Sequence, residues 1–120
     1  MKAHRGASLL IIVLAAVLAM ASCRSHMATI SLLNTSKEPV STIIVDYPSA
    51  TFGKDKLAPT ETFSSRVKLT DTGPIKVQFT DAKGATHHHT GPVVSPNAEG
   101  TVEIKLDQSD AMITNHLTGH

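Results

Sequence analysis

The chain predicts an all-β fold, a small antiparallel Ig-like β-sandwich of six or seven strands behind an apolar N-terminal segment. Three observations predict the β domain. Beyond residue 27 apolar side chains recur mostly at every second position, the period of a strand with one dry face and one wet one. Turn-forming clusters break the chain at intervals of about 8–12 residues. No stretch of the domain carries a sustained helical period.

The first strand covers residues 28–33, where Ile30 and Leu32 alternate with Thr29 and Ser31. Asn34-Thr35-Ser36-Lys37-Glu38-Pro39 is rich in turn formers and ends it. Residues 40–47 form a second strand with Ile43, Val45 and Tyr47 on one face, and only Ile44 breaks the alternation on the other. Residues 48–59 hold two prolines and a glycine and are expected to be a connection, with Phe52 and Leu57 folding back as plugs. Phe63, Val67 and Leu69 then mark a third strand. After Asp71-Thr72-Gly73-Pro74, the alternation of Ile75, Val77 and Phe79 with Lys76, Gln78 and Thr80 marks a fourth.

Asp81-Ala82-Lys83-Gly84 is a hairpin turn, since aspartate suits its first position and glycine is free to take φ > 0 at its end. Residues 85–90 pair back as a fifth strand. Gly91-Pro92 interrupts it, and Val93 and Val94 resume on another register. A last strand carries Val102, Ile104 and Leu106 inward, and the polar tail 107–120 offers only a helical hint: Ser109 as a cap with Met112, Ile113, His116 and Leu117 along one side.

The segment before the domain carries its own chemistry. Lys2, His4 and Arg5 precede an apolar or small-residue run of 13 residues, 9–21, the layout of an export signal. A spanning helix needs roughly 20 apolar residues, so cleavage is expected, with an uncleaved anchor helix as the alternative. Met20-Ala21-Ser22-Cys23 resembles a lipobox: small residues before the cut, and after it the single cysteine of the chain. A lone thiol in an oxidising compartment invites intermolecular pairing, and permanent thioether modification removes that hazard. The organisation is then a signal peptide at 1–22, a lipidated tether at 23–27, the β domain at 28–106 and the tail at 107–120. The resemblance to bacterial lipoproteins implies palmitate-type acylation of Cys23. Arg24, rather than aspartate, after the cysteine implies the outer membrane, with the domain facing the periplasm.

Removing residues 1–22 leaves 98 residues, enough for one domain. Of 11 Lys and Arg residues, Lys2 and Arg5 are lost, so 9 basic face 10 acidic residues. Their interspersion gives no footprint for nucleic acid. One tyrosine, three phenylalanines and no tryptophan disfavour stacking recognition of bases or sugars.

Candidate chemistry centres on His87-His88-His89. Alternate residues of a strand share a face, so His87 and His89 could share an ion, but a zinc or copper site needs further ligands. Asp81 lies on the adjoining turn and His116 or His120 could swing in, but nothing in the sequence fixes them there. The hairpin decides where the pair points. A type I turn with a Gly84 bulge sets His87 opposite Phe79 and His89 opposite Val77, on the inner face, whereas a two-residue loop turns the pair outward beside Lys76. No serine lies in a G-x-S-x-G or S-x-x-K setting and no carboxylates are paired, so no enzyme activity, catalytic residue or cofactor is expected.

Val45-Asp46-Tyr47-Pro48, Phe52-Gly53, Leu57-Ala58-Pro59, Gly73-Pro74, Val77-Gln78-Phe79-Thr80-Asp81, Gly84, Gly91-Pro92 and Gly100 resemble a group of small uncharacterised bacterial envelope proteins, often lipoproteins. The resemblance covers about residues 40–106. It implies a compact β domain in the envelope and no activity for any residue. Two functions follow as expectations: a membrane-anchored lipoprotein whose β domain makes protein contacts or gives structural support, and a periplasmic metal-binding module using the histidine strand.

Overall fold

The computed structural model describes residues 26–118. Eight strands follow one another: β1 (Ala28–Asn34), β2 (Val40–Tyr47), β3 (Ala50–Leu57), β4 (Thr62–Val67), β5 (Gly73–Thr80), β6 (Thr86–Val94), β7 (Glu99–Leu106) and β8 (Ala111–Thr118). They form two four-stranded sheets, ordered β4-β1-β7-β8 and β3-β2-β5-β6. This is an all-β, sandwich-like arrangement with eight strands rather than six or seven. Its pairing is antiparallel except between β1 and β7, which run parallel in register from Ala28↔Gly100 to Asn34↔Leu106.

The core lies between the sheets and is built from the alternating positions. Ala28, Ile30, Leu32, Val102, Ile104 and Leu106 come from one sheet, and Val40, Ile43, Val45, Ile75, Val77 and Phe79 from the other. Burying each Val, Leu, Ile or Phe among them contributes about 1.5–3 kcal/mol relative to exposure, which is why the period-2 pattern specifies the layers.

Two segments depart from expectation. The connection expected at 48–59 is instead a two-residue turn, Pro48-Ser49, followed by the strand β3. The alternation there is hard to see because its phase flips. Thr42 takes φ 48°, and the β2–β5 register shifts between Ser41 and Ile44, so Val40 is buried along with Ile43 and Val45. On β3 the matching inward positions are Phe52 opposite Val45, Lys54 opposite Ile43 and Leu57 opposite Val40. Proline is tolerated because it sits in the turn, outside the ladder.

The polar tail with a helical hint is the strand β8, so the β domain extends past 106 to Thr118. Ile113 and Leu117 are four apart, a spacing that satisfies the helical and the strand period alike. What resembled a helix cap is a turn: Asp107 Oδ1 accepts from the N–H groups of Ser109 and Asp110, each at 2.8 Å.

One end of the sandwich is tied by a buried asparagine. Asn34 is fully buried; its Nδ2 donates to the carbonyls of Glu38 (2.8 Å) and Leu57 (3.0 Å), and its Oδ1 accepts from Ser36 N–H (2.9 Å) and Oγ–H (2.7 Å). Every polar atom of that side chain is thereby satisfied, which burial requires. Gln108 joins the same end, donating to Ser36 Oγ and the Glu38 carbonyl and accepting from Ala82 N–H at 2.8 Å.

Candidate functional site

The β5–β6 hairpin positions the histidines. Asp81 N–H donates to the Ala85 carbonyl at 2.9 Å and Gly84 N–H to the Asp81 carbonyl at 3.1 Å, while Gly84 takes φ 89°. That is the bulged turn, and the register follows: His87 lies opposite Phe79, His88 opposite Gln78 and His89 opposite Val77. Beyond Thr90 the register shifts, and Val93 and Val94 pair with Pro74 and Gly73 within the same strand. His87 and His89 therefore point inward at the open edge of their sheet, each keeping about a quarter of its side chain exposed (24% and 25%). Both rings stack on the buried Phe79, at centroid separations of 5.1 and 6.1 Å.

Each imidazole meets a different carboxylate. His87 Nε2 lies 2.8 Å from Asp81 Oδ2, and His89 Nδ1 lies 3.2 Å from Asp110 Oδ1. The Asp81 carboxyl is held below its ordinary value by the His87 ring first and then by the N–H groups of Ala85 and Lys83. Asp107 is also lowered, chiefly by the Ser109 N–H and then that of Asp110, with the His87 ring a weaker contributor. The second contact joins the two sheets, because Asp110 belongs to the β7–β8 turn. Sequence reasoning missed Asp110, since nothing in a turn 21 residues downstream marks it as a neighbour of His89.

The arrangement supplies separate imidazole–carboxylate contacts rather than a converging ligand set. Among the described residues no group of three or more His, Cys, Asp or Glu side chains is placed to hold a metal ion. His88 points to the other face of the sheet, and His116 pairs toward Glu103 at 3.9 Å. Cys23 and His120 lie outside the described residues. On the outer face of β2, β5 and β6, Ile44, Asp46, Lys76, Gln78 and His88 line a shallow cavity of about 170 Å³. Ligand pockets run to about 300–1,000 Å³.

No family model matches the chain, and no curated protein matches it. It is similar to a solved structure, the NMR structure of a protein from Eubacterium rectale, with a TM-score of 0.57 and 17% identity over 78% of this chain and 91% of that one. At that identity the likeness shows the fold alone: the chain shares an all-β architecture with that protein.

Proposed function

We propose that the chain is an outer-membrane lipoprotein, exported by a cleaved signal peptide, anchored through lipid on Cys23, and carrying an Ig-like, non-enzymatic domain for protein contact or structural support. The observation that carries this reading is the placement of Cys23. It ends an apolar run behind Ala21-Ser22, and the first strand begins at Ala28, so a tether of five residues, 23–27, separates lipid from folded domain. Fully extended, such a tether spans at most about 18 Å, which keeps the domain against the membrane surface. Two or more acyl chains on one cysteine give stable anchoring where a single chain does not. The parallel β1–β7 pair joining the first strand to the seventh supports the Ig-like description.

The test is metabolic labelling of the full chain with radioactive palmitate. Label is expected on the parent and absent from Cys23→Ala, which accumulates as the precursor. Label persisting in Cys23→Ala refutes the anchor. The second reading, a metal-binding module, has one observation in its favour: the register that sets His87 and His89 on the same face. Calorimetry with Zn²⁺ and Cu²⁺ decides it. Submicromolar binding that disappears in the His87→Ala, His89→Ala double variant puts the metal reading first.

A further inference from the structure

The four sheet edges are not protected alike. Edge strands present unpaired backbone groups and are normally blunted by charge, proline or irregularity. β3 carries Lys54, Asp55 and Lys56; β4 carries Arg66; β6 carries Pro92 and lies beside a register shift. β8, Ala-Met-Ile-Thr-Asn-His-Leu-Thr, has no Lys, Arg, Asp, Glu, Pro or Gly, and leaves Met112 65% exposed.

The backbone of β8 has a definite polarity. Asp107 N–H donates to the Asp110 carbonyl at 3.0 Å, and the ladder continues with Leu106↔Ala111 and Lys105↔Met112. Antiparallel alternation then turns the N–H and C=O groups of Met112, Thr114 and His116 toward β7, and those of Ala111, Ile113, Asn115 and Leu117 toward the open edge. Two of the outward donors are capped by side chains: Ala111 N–H by Asp110 Oδ1 and Leu117 N–H by Asn115 Oδ1, both at 2.8 Å. No side chain among the described residues caps Ile113 or Asn115. The capped donors are each three residues from Thr114 and the uncapped donors each one residue from it, so the edge is symmetric about Thr114.

From this symmetry we infer that β8 pairs antiparallel with β8 of a second copy of the chain, about a two-fold axis through Thr114. In that register Ile113 of one copy faces Asn115 of the other, and the pair exchanges N–H···O=C bonds on both sides of the axis. Capped Ala111 meets capped Leu117, Met112 meets His116, and no like charges oppose. Shifting the register by two residues either way sets a capped donor against an uncapped one, which is why the occupant is a copy of this strand rather than an arbitrary extended peptide. The two sheets merge into one of eight strands, and the two-fold, perpendicular to that sheet, lets both amino-terminal tethers reach one membrane surface. The inference rests on the proposed protein-contact role, to which it assigns a strand and a partner, and it does not depend on the lipid.

Thr114 lies on the axis, in a pair without hydrogen bonds across the new interface, where Cα atoms approach to about 4.5 Å. That separation suits a disulfide. The full chain carrying Thr114→Cys, in its own membrane and in a parallel Cys23→Ser version, is expected to run as a covalent dimer after mild oxidation. Met112→Cys is expected not to link, because the two copies of residue 112 lie about 14 Å apart; Ser64→Cys, on the outer face of β4, controls for collision. Sedimentation of the detergent-solubilised chain is expected to show a concentration-dependent dimer. Thr114→Lys, whose side chain can meet Glu103 of its own chain, is expected to raise the dissociation constant about tenfold or more by opposing two ammonium groups. A monomer at every concentration, a dimer indifferent to Thr114→Lys, equal linking by Ser64→Cys, or linking of Thr114→Cys to other proteins alone overturns the inference. Palmitate labelling is unchanged by these outcomes, so the anchor stands or falls separately.

Discussion

Where β3 and β4 meet, the open side of the sandwich is closed by aromatic rings and one permanent charge. Tyr47 packs against Phe52 and Phe52 against Phe63, both pairs tilted with 6.3 Å between centroids, and Lys54 Nζ sits 4.9 Å from the Phe63 ring centre. On the opposite side, where β6 and β8 approach, the same task falls to titratable groups: His87 and His89 over Phe79, tethered to Asp81 and Asp110. Both sides put an ionisable side chain inward on an edge strand, a device that stops the edge from pairing further. They differ in what that side chain leans on. Lys54 uses the face of a ring, worth about 0.5–1 kcal/mol at a partly exposed site. The histidines use carboxylates, and with Asp110 69% exposed the inter-sheet pair contributes under about 1 kcal/mol. Closure on the histidine side therefore depends on packing beneath these contacts, and on Phe79 above all.

The largest expected effect tests that dependence. Phe79→Ala is expected to cost about 3–5 kcal/mol, because it removes a fully buried aromatic and the surface on which both imidazoles lie. A domain of this size has only about 5–15 kcal/mol in total, so the variant is at the edge of unfolding. Phe63→Ala on the other side is expected to cost less, since Phe63 is only partly buried. Equal losses in chemical denaturation would show that the two sides are closed by the same means.

A smaller effect probes how closely β6 and β8 approach. A Cβ built on Gly91 would lie 2.7 Å from Ile113 Cδ1, 2.9 Å from its Cγ2 and 3.1 Å from its Cβ. Ile113 is β-branched and stiff about χ1, so it cannot swing clear without moving its strand. Gly91→Ala is expected to destabilise by about 1–3 kcal/mol, the range for overpacking. A stability equal to the parent's would mean that β8 stands further from β6 than described.

The alternation of β1, β5 and β7 was legible because each strand buries one face throughout. β3 was not, because Thr42 reverses the phase of β2 and its partner follows, leaving Lys54 inward where a pattern reader expects an apolar residue. β8 was ambiguous for a different reason, the four-residue spacing of Ile113 and Leu117. The histidine strand was half legible. Asp81 and Gly84 mark a hairpin turn, yet the bulged form that turns His87 and His89 inward and a two-residue loop were equally open to the sequence. Asp110 and the Gln108 bridge come from a turn in the other sheet, and contacts of that kind have no local signature.

The smallest expected effect is the most specific to the histidine side, and it is read as a slope against pH. The Asp81 carboxyl is lowered in the folded state by the His87 ring and by the N–H groups of Ala85 and Lys83. In the acid range the unfolded chain therefore binds more protons at this residue than the folded one, and stability rises with pH there. The contribution is complete above the ordinary carboxyl value of 3.8 and is lost as pH falls through the lower folded value. Asp81→Asn retains an oxygen for the backbone N–H groups but has no proton to bind, so denaturation midpoints measured from about pH 2 to pH 5 are expected to fall less steeply with acid than the parent's. Some slope persists, because Asp107 is lowered in the same direction. Lys54→Met on the opposite side touches neither carboxylate and is expected to keep the parental slope while losing stability at every pH. An Asp81→Asn slope equal to the parent's would mean that the His87 contact does not bias this carboxyl, and would remove the chemical distinction between the two sides.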